Sequence, residues 1–513
     1  MIHFLIQTTI SALNIIALAV VSLYVMLNSY VKKAKEETVH NKAILKGKPE
    51  NKYFGFFHPY ATAGGGGERV LWTAIQALQI HNPDYVSVLY TALDPEETKT
   101  SLIEKIKSKF GLEIKPETLI LVVLDNISYA ETPYPRFRLL LQSLGSVRVA
   151  YEGLIKFVPD VFIDTVGYAF TYPLARFLFG IPVVSYTHYP TISSDMLQVV
   201  ASRESGICND ETINSSFILS NAKKVYYKTF AILYGFVGSF ADVVMTNSSW
   251  TLNHIKKTFK KSKLITLVYP PCDTDEMTKF SLESRQLKIV SLAQFRPEKN
   301  HALQVEGFSK FLSKYPKYKM EKKSVKDESS YPKLVIMGGV RNEGDKKRAE
   351  DIEKLALDYG IESQVSVVKN ASYSTILSEL SVATAGLHTM KDEHFGINIV
   401  EFMASGAIPI GHKSAGPMMD IIVPAFDLEA LGTVNQDIAK LAAKNGSGGR
   451  YAEVPVGFLA TTADEFAEVF NCLMSMDEET LSVVRKEARG RATSMFSADK
   501  FRAKFIESIS GIL

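Results

Sequence analysis

"YFGFFHPYATAGGGGERVLW", residues 53–72, reads as a strand, a loop and the opening of a helix. "YFGFF" is short and aromatic, as strands are. "ERVLW" begins a run in which Val70, Leu71, Ala74, Ile75 and Leu78 share one helical face. Between them stand Gly64, Gly65, Gly66 and Gly67. Glycine loses more backbone entropy on folding than any other residue, so four in a row need a reason. At a helix N-terminus, where N–H groups and the dipole favour negative charge, they let an anion approach the backbone. The pattern is neither GxGxxG nor a phosphate loop ending in Lys-Ser/Thr. A mobile turn is the plainer alternative.

The same strand-then-helix alternation continues outward. "YVSVLY", "TLILVVL", "DVFIDT", "IPVVSYTH", "DVVMTN" and "LITLVYP" follow as strands, with amphipathic stretches between them. The rhythm breaks at Pro270 and Pro271 and resumes with "LKIVSLA", "KLVIMGG", "QVSVVKN", "ATAGLHT" and "IPIGHK". Strands alternating with helices imply parallel sheets covered on both faces, hence an α/β chain of two doubly wound units. Such sheets bind ligands beyond the carboxyl ends of their strands, so the loops after strands are where chemistry is expected. The charged stretch "KYKMEKKSVKDESSYPK" (317–333) reads as a surface insertion.

Composition narrows the class. The chain has 513 residues and a net charge of +3, too mild for nucleic acid as a main partner. Its three cysteines, Cys208, Cys272 and Cys472, are far apart, which argues against a disulfide framework and for a reducing compartment. From Ile2 to Val31 there is no Asp, Glu, Lys or Arg, and Lys32, Lys33 and Lys35 follow. That length and order predict an uncleaved transmembrane anchor with the body in the cytoplasm, rather than a signal peptide. Five Asn-x-Ser sequons, beginning at Asn126, Asn214, Asn247, Asn370 and Asn445, leave the orientation undecided.

Several strand-end loops carry candidate chemistry. In "SLAQFRPEKNH" (291–301), Arg296 and Lys299 open a helix and could converge on a diphosphate, or form an ordinary surface pair. "KDEHFGINIVEFMASGAIPI" (391–410) sets Glu393 in a loop and Glu401 in the helix that Gly396 opens. A carboxylate there suits sugar hydroxyls, and the helix start suits a second phosphate. The alternative is two solvated glutamates. His188, after the strand starting at Pro182, could bind substrate or act as acid or base, or be structural. Asp273 and Asp275 form a DxD in the presumed linker and read as a turn rather than a metal site.

In this order the pieces resemble a retaining glycosyltransferase of the family 4 type. The glycine-rich first loop, a late histidine in the first domain, a basic pair and Glu-x7-Glu containing Phe395-Gly396 carry the resemblance. Phe295 departs from it, because a glycine usually precedes the arginine. "HPYATAGGGGERVLW", "YEGLIKFVPDVFIDTVGYAFTYPL" and "SYTHYPTISSDM" are similar to the endoplasmic-reticulum α-1,2-mannosyltransferases of asparagine-linked glycosylation.

The resemblance implies a GT-B fold, two facing Rossmann-like domains with the active site in the cleft, plus the N-terminal transmembrane helix. The implied boundaries are an anchor at 1–31, a polar spacer at 32–50 and an acceptor-side domain at 51–270. A linker at 271–285, a nucleotide-sugar-binding domain at 286–495 and a C-terminal helix at 496–513 complete the chain. It also implies GDP-mannose as donor and a dolichol-pyrophosphate-linked oligosaccharide as acceptor. Catalysis would be independent of metal or cofactor and take place on the cytosolic face of the endoplasmic reticulum. The membrane and other glycan-assembly transferases would be partners. Carried onto this sequence, Arg296 and Lys299 neutralise the donor diphosphate. Gly64–Gly67, Phe395 and Gly396 approach the donor, Glu401 holds ribose, Glu393 the mannose, and His188 the transferred sugar or acceptor. Two alternatives stay open: a related transferase with another sugar or acceptor, and a non-catalytic scaffold.

Overall fold

A computed structural model describes residues 18, 21–22, 24–40, 51–192, 217–260, 262–320, 330–436 and 454–513. Most of the expected 1–31 span, the middle of the 317–333 insertion and Cys208 lie outside the described residues. Among the described residues no helix is long and apolar enough to cross a membrane.

The chain divides into two units. The first comprises Met1–Thr246, Thr251–Val268 and Arg502–Leu513; the second comprises Asn247–Trp250 and Tyr269–Phe501. The first holds β1 (Lys52–Phe57), β2 (Tyr85–Thr91), β3 (Leu119–Val123), β4 (Val161–Asp164), β5 (Val183–Thr187), β6 (Val243–Thr246) and β7 (Leu264–Leu267). They form one parallel sheet in the order β3-β2-β1-β4-β5-β6-β7. The central strands are buried along their length, β4 and β5 at every residue, because helices cover both faces.

The second unit holds β8 (Gln286–Leu292), β9 (Lys333–Gly338), β10 (Val365–Lys369), β11 (Ala383–His388), β12 (Ile408–His412) and β13 (Phe458–Ala460). Their order is β10-β9-β8-β11-β12-β13, again parallel throughout. Twelve of these thirteen strands are legible as short apolar runs in the sequence; β13, only three residues long, is not. One core lies on each face, one around Ile289, Phe308, Leu387 and Phe470, the other around Val290, Phe402, Met403 and Phe496.

Each order reverses direction once, between β1 and β4 in the first sheet and between β8 and β11 in the second. Loops that leave the carboxyl ends of two such strands diverge and open a crevice, which makes these pairs the places to seek ligands.

Two features differ from the sequence reading. Residues 24–40 are one helix, so the stretch read as a polar spacer is helical to residue 40. Val31, Ala34 and Thr38, at i, i+3 and i+7, are buried, and Thr38 Oγ1 accepts the Val158 N–H at 2.9 Å. The C-terminal segment returns to the first unit, where Arg502 Nη1 donates to Gln76 Oε1 at 2.8 Å and Lys52 Nζ to Ile512 O.

Candidate active site

At the first reversal, the loop after β1 leads into the helix Gly66–His81. Trp72, fully buried in that helix, donates its indole N–H to Ala61 O at 3.0 Å and so fixes the loop. Gly64 has φ +83°, a conformation that costs a side-chain-bearing residue free energy. A Cβ at Gly67 would sit 3.6 Å from His188 Nε2, so the glycine run and the histidine are brought together.

One expectation needs correcting here. The Gly65 N–H is not presented outward for an anion; it donates to Glu68 Oε2 at 2.6 Å. Burial pulls the Glu68 carboxyl upward, but His58 and the Gly65 amide outweigh it and hold it below the usual range. An anion reaching that amide has to displace a carboxylate.

His58, the first residue beyond β1, is buried and lies 3.6 Å from Glu68 Oε1. Its Nδ1 is 2.7 Å from Thr165 Oγ1, the first residue beyond β4. His188 Nε2 lies 3.2 Å from Thr165 O. The turn presenting Thr165 is held by Asp164, which accepts the Val166 N–H at 2.9 Å, the Gly167 N–H at 3.1 Å and the Tyr172 hydroxyl at 2.7 Å. Burial raises the Asp164 carboxyl despite these donors.

At the second reversal, Arg296 caps the turn Pro297–Lys299, and the helix His301–Lys314 follows. Beyond β11 the loop runs to Gly396, whose φ of +108° lets it cap the helix Ile397–Ser405. That helix packs directly on β11, since a Cβ at Gly386 would fall 2.0 Å from the Phe402 ring. The Thr389 hydroxyl ties the two loops together, 3.0 Å from Lys299 O and 3.1 Å from Asn300 O.

Lys299 Nζ reaches Glu393 Oε2 at 2.6 Å, with side-chain exposures of 21% and 14%. His388 Nε2 is 3.1 Å from the same oxygen, close but not aligned as a hydrogen bond. Asn398 donates its amide to Leu292 O at 2.7 Å and to His388 Nδ1 at 2.9 Å. With both amide hydrogens so engaged, His388 Nδ1 accepts and its proton resides on Nε2, towards Glu393. Burial pulls the Glu393 carboxyl upward, but His388 and Lys299 outweigh it and hold it well below the usual carboxylate range. The carboxylate is ionised and fixed, a ready acceptor for a sugar hydroxyl.

The basic pair is split rather than convergent. Lys299 is engaged by Glu393, whereas Arg296 is 39% exposed and only 3.8 Å from Glu298 Oε1. The Phe395 expectation is corrected as well. Its ring is buried between Tyr269 (5.7 Å) and Phe496 (5.5 Å), so only its backbone can meet a ligand. Glu401 is half-buried in the second turn of its helix. His58, Glu68, Thr165, His388 and Asn398 were not singled out from the sequence. Three of them stand at a strand's carboxyl end, which was the available signal.

Comparison with known proteins bears on this arrangement. The family described as "ALG11 mannosyltransferase N-terminus" matches residues 51–259, and "Glycosyl transferases group 1" matches residues 273–444. The protein of Homo sapiens named "GDP-Man:Man(3)GlcNAc(2)-PP-Dol alpha-1,2-mannosyltransferase" is 40% identical, over 88% of this chain and 86% of its own. The protein of that name from Dictyostelium discoideum is 38% identical, over 90% and 84%. Among solved structures, sucrose-phosphate synthase from Thermosynechococcus elongatus aligns with a TM-score of 0.59 at 15% identity, over 90% of this chain and 99% of its own. That likeness concerns the fold alone, a GT-B-like arrangement with two parallel sheets.

Proposed function

The chain belongs to the ALG11 mannosyltransferase family, and from that membership we infer that it is an α-1,2-mannosyltransferase acting on dolichol-pyrophosphate-linked Man3GlcNAc2. The donor is GDP-mannose, and the products carry the fourth and fifth mannoses. The single observation that best supports a reaction centre is the Lys299–Glu393 pair at 2.6 Å, set between the loops that follow β8 and β11.

In this reading Lys299 and Arg296 stabilise the charge that develops on the leaving diphosphate. Lys299 supplies a point charge, and the exposed Arg296 a planar fork. The helix N-terminus at Gly396 adds fixed N–H donors. Together these supply the positive charge for the step, so no metal or cofactor is needed. Glu393 accepts hydroxyls of the mannose and Glu401 those of the ribose. The glycine run of the first unit lets the reacting sugar approach its backbone, and His188 contacts the transferred mannose or the acceptor. Retention proceeds by attack from the same face, with the departing phosphate taking the acceptor proton.

The apolar stretch ending at Val31 is read as a single-pass anchor in the endoplasmic-reticulum membrane, with the body in the cytosol. A second membrane contact is read at the helix Phe217–Gly238. Phe230 and Tyr234 are buried there, whereas Val225, Ile232 and Phe236 are exposed at 64%, 73% and 57%. Other glycan-assembly transferases are the expected protein partners.

The test supplies the intact chain with GDP-mannose and a pyrophosphate-lipid trimannosyl acceptor, with Glu401→Ala as control. Two added mannoses, removable by an α-1,2-specific mannosidase and absent with the variant, are expected. Transfer from a different nucleotide sugar in place of GDP-mannose would overturn the donor assignment.

A further inference from the structure

A cavity of about 150 Å³ in the first unit is distinct from the glycine run. Its walls come from the segment Gly167–Phe170 after β4, from Thr191 after β5 and from one side of the helix Arg138–Lys156. It therefore opens at the same end of the sheet as His188, three residues before Thr191, and as Thr165, two residues before Gly167.

The walls mix polar side chains (Gln142, Ser143, Ser146 and Thr191) with aromatic ones (Tyr168, Phe170 and Tyr234) and a few small or aliphatic residues. Gln142 is anchored by its amide to Glu131 O (3.2 Å) and Thr132 O (3.1 Å). Ser146 Oγ donates to Ser143 O at 2.6 Å. Phe170 is held by stacking on Phe230, 5.7 Å between centroids and 17° between planes. Tyr168 is wired to Tyr60, which also meets Glu131, and burial with those neighbours raises the Tyr60 hydroxyl. Tyr60 lies in the loop after β1, so the cavity wall and the glycine run share one support.

Among the described residues no lysine or arginine lines the cavity, which gives a phosphate no cation there. A polyprenyl tail would set hydrocarbon against the polar part of this wall, which makes it a poor match for the lipid. A cavity of about this volume holds one six-membered ring, and aromatic faces beside fixed hydroxyls and amides suit a ring that is apolar on its faces and polar at its rim. We propose that this cavity is a subsite for one pyranose ring of the acceptor oligosaccharide, other than the ring being extended. The inference rests on the reading that the acceptor is an oligosaccharide. It implies that the enzyme measures its acceptor at two points, the hydroxyl that attacks and a ring held apart from it.

The test titrates the intact chain with free Man3GlcNAc2 oligosaccharide, beside transfer from GDP-mannose to the same glycan on a pyrophosphate lipid. Ser143→Leu places a larger apolar side chain at the half-buried wall. Tyr168→Phe removes a hydroxyl without adding volume, which guards against a folding defect in the first variant. Both should weaken oligosaccharide binding about tenfold or more and raise acceptor KM to match, with GDP-mannose KM within about twofold of wild type. Oligosaccharide affinity unchanged in both folded variants overturns the subsite, whatever the transfer assay returns. Affinity lost in the variants while the wild type transfers no mannose upholds the subsite and overturns the named reaction.

Discussion

Replacing Lys299 with methionine removes the cation that lies 2.6 Å from Glu393 and leaves the volume nearly unchanged. Two separate quantities follow. The Glu393 carboxylate, 14% exposed, then keeps His388 and the His394 N–H, which donates to Oε1 at 3.1 Å, but no cation. Removing one partner of a buried charge-assisted bond costs about 1–3 kcal/mol of folding stability. Because Lys299 also stabilises the leaving diphosphate, kcat should fall by about 10²–10³, or roughly 3–4 kcal/mol.

The pH dependence separates this account from simple loss of packing. In the wild type the Glu393 carboxyl is depressed below its ordinary 4.5. A depressed carboxyl contributes stability that is present above the unfolded pKa and lost as pH falls through the folded one. In Lys299→Met the folded pKa rises, so the stability gap should be fully open at pH 7 and close as pH falls through the variant's folded pKa towards that of the wild type. Urea unfolding at pH 7 and at about pH 3, beside steady-state transfer, measures both. A gap of equal size at the two pH values would refute the electrostatic account. Wild-type kcat in the folded variant would refute the role at the diphosphate.

Asn398→Leu leaves Leu292 O and His388 Nδ1 without their donor, and should lose about 1–2 kcal/mol of stability. It should also free His388 to change tautomer, visible as a shift of its ¹⁵N imidazole resonances; unchanged resonances would contradict the tautomer assignment. Gly67→Ala places a methyl 3.6 Å from His188 Nε2, an ordinary contact, inside the first turn of a helix. Stability should hold or rise by up to about 1 kcal/mol while kcat/KM falls, and a variant as active as wild type would remove the glycine from the site. Burial first, then His388 and Lys299, lower His301 to about 4 from an ordinary 6.5. The unfolded chain therefore binds the extra proton between those values, and stability falls as pH drops from 6.5 towards 4. Chemical unfolding of His301→Leu across that window should show a shallower fall than wild type.

Local periodicity determined most of what is regular in this protein. Strands such as "YVSVLY" and "KLVIMGG" announce themselves by apolar runs, and the helix starts at Gly66 and Gly396 by the glycines before and at them. These signals are legible because a strand or helix is set by neighbours within a few residues. The motifs at Gly64–Gly67, His188, Arg296, Lys299 and Glu393 lie where a loop follows a strand, and that too is local information. The docking of the helix at 24–40 was half-hidden, because Val31, Ala34 and Thr38 sit among lysines and glutamates that read as a spacer.

Partnership is another matter. Lys299 and Glu393 are 94 residues apart, and His58 and Thr165 are 107 apart. Spacing along the chain says nothing about such pairs, since they meet only when β8 lies beside β11 and β1 beside β4. Tertiary packing likewise turned the Phe395 ring into the core, whereas the Gly65 amide goes to Glu68 through a local capping contact only three residues long. Sequence decided which residue types stand at the strand ends. The sheet order alone decided which of them share a charge, because electrostatic and hydrogen-bond energies depend on distance through space and fall away within a few ångströms.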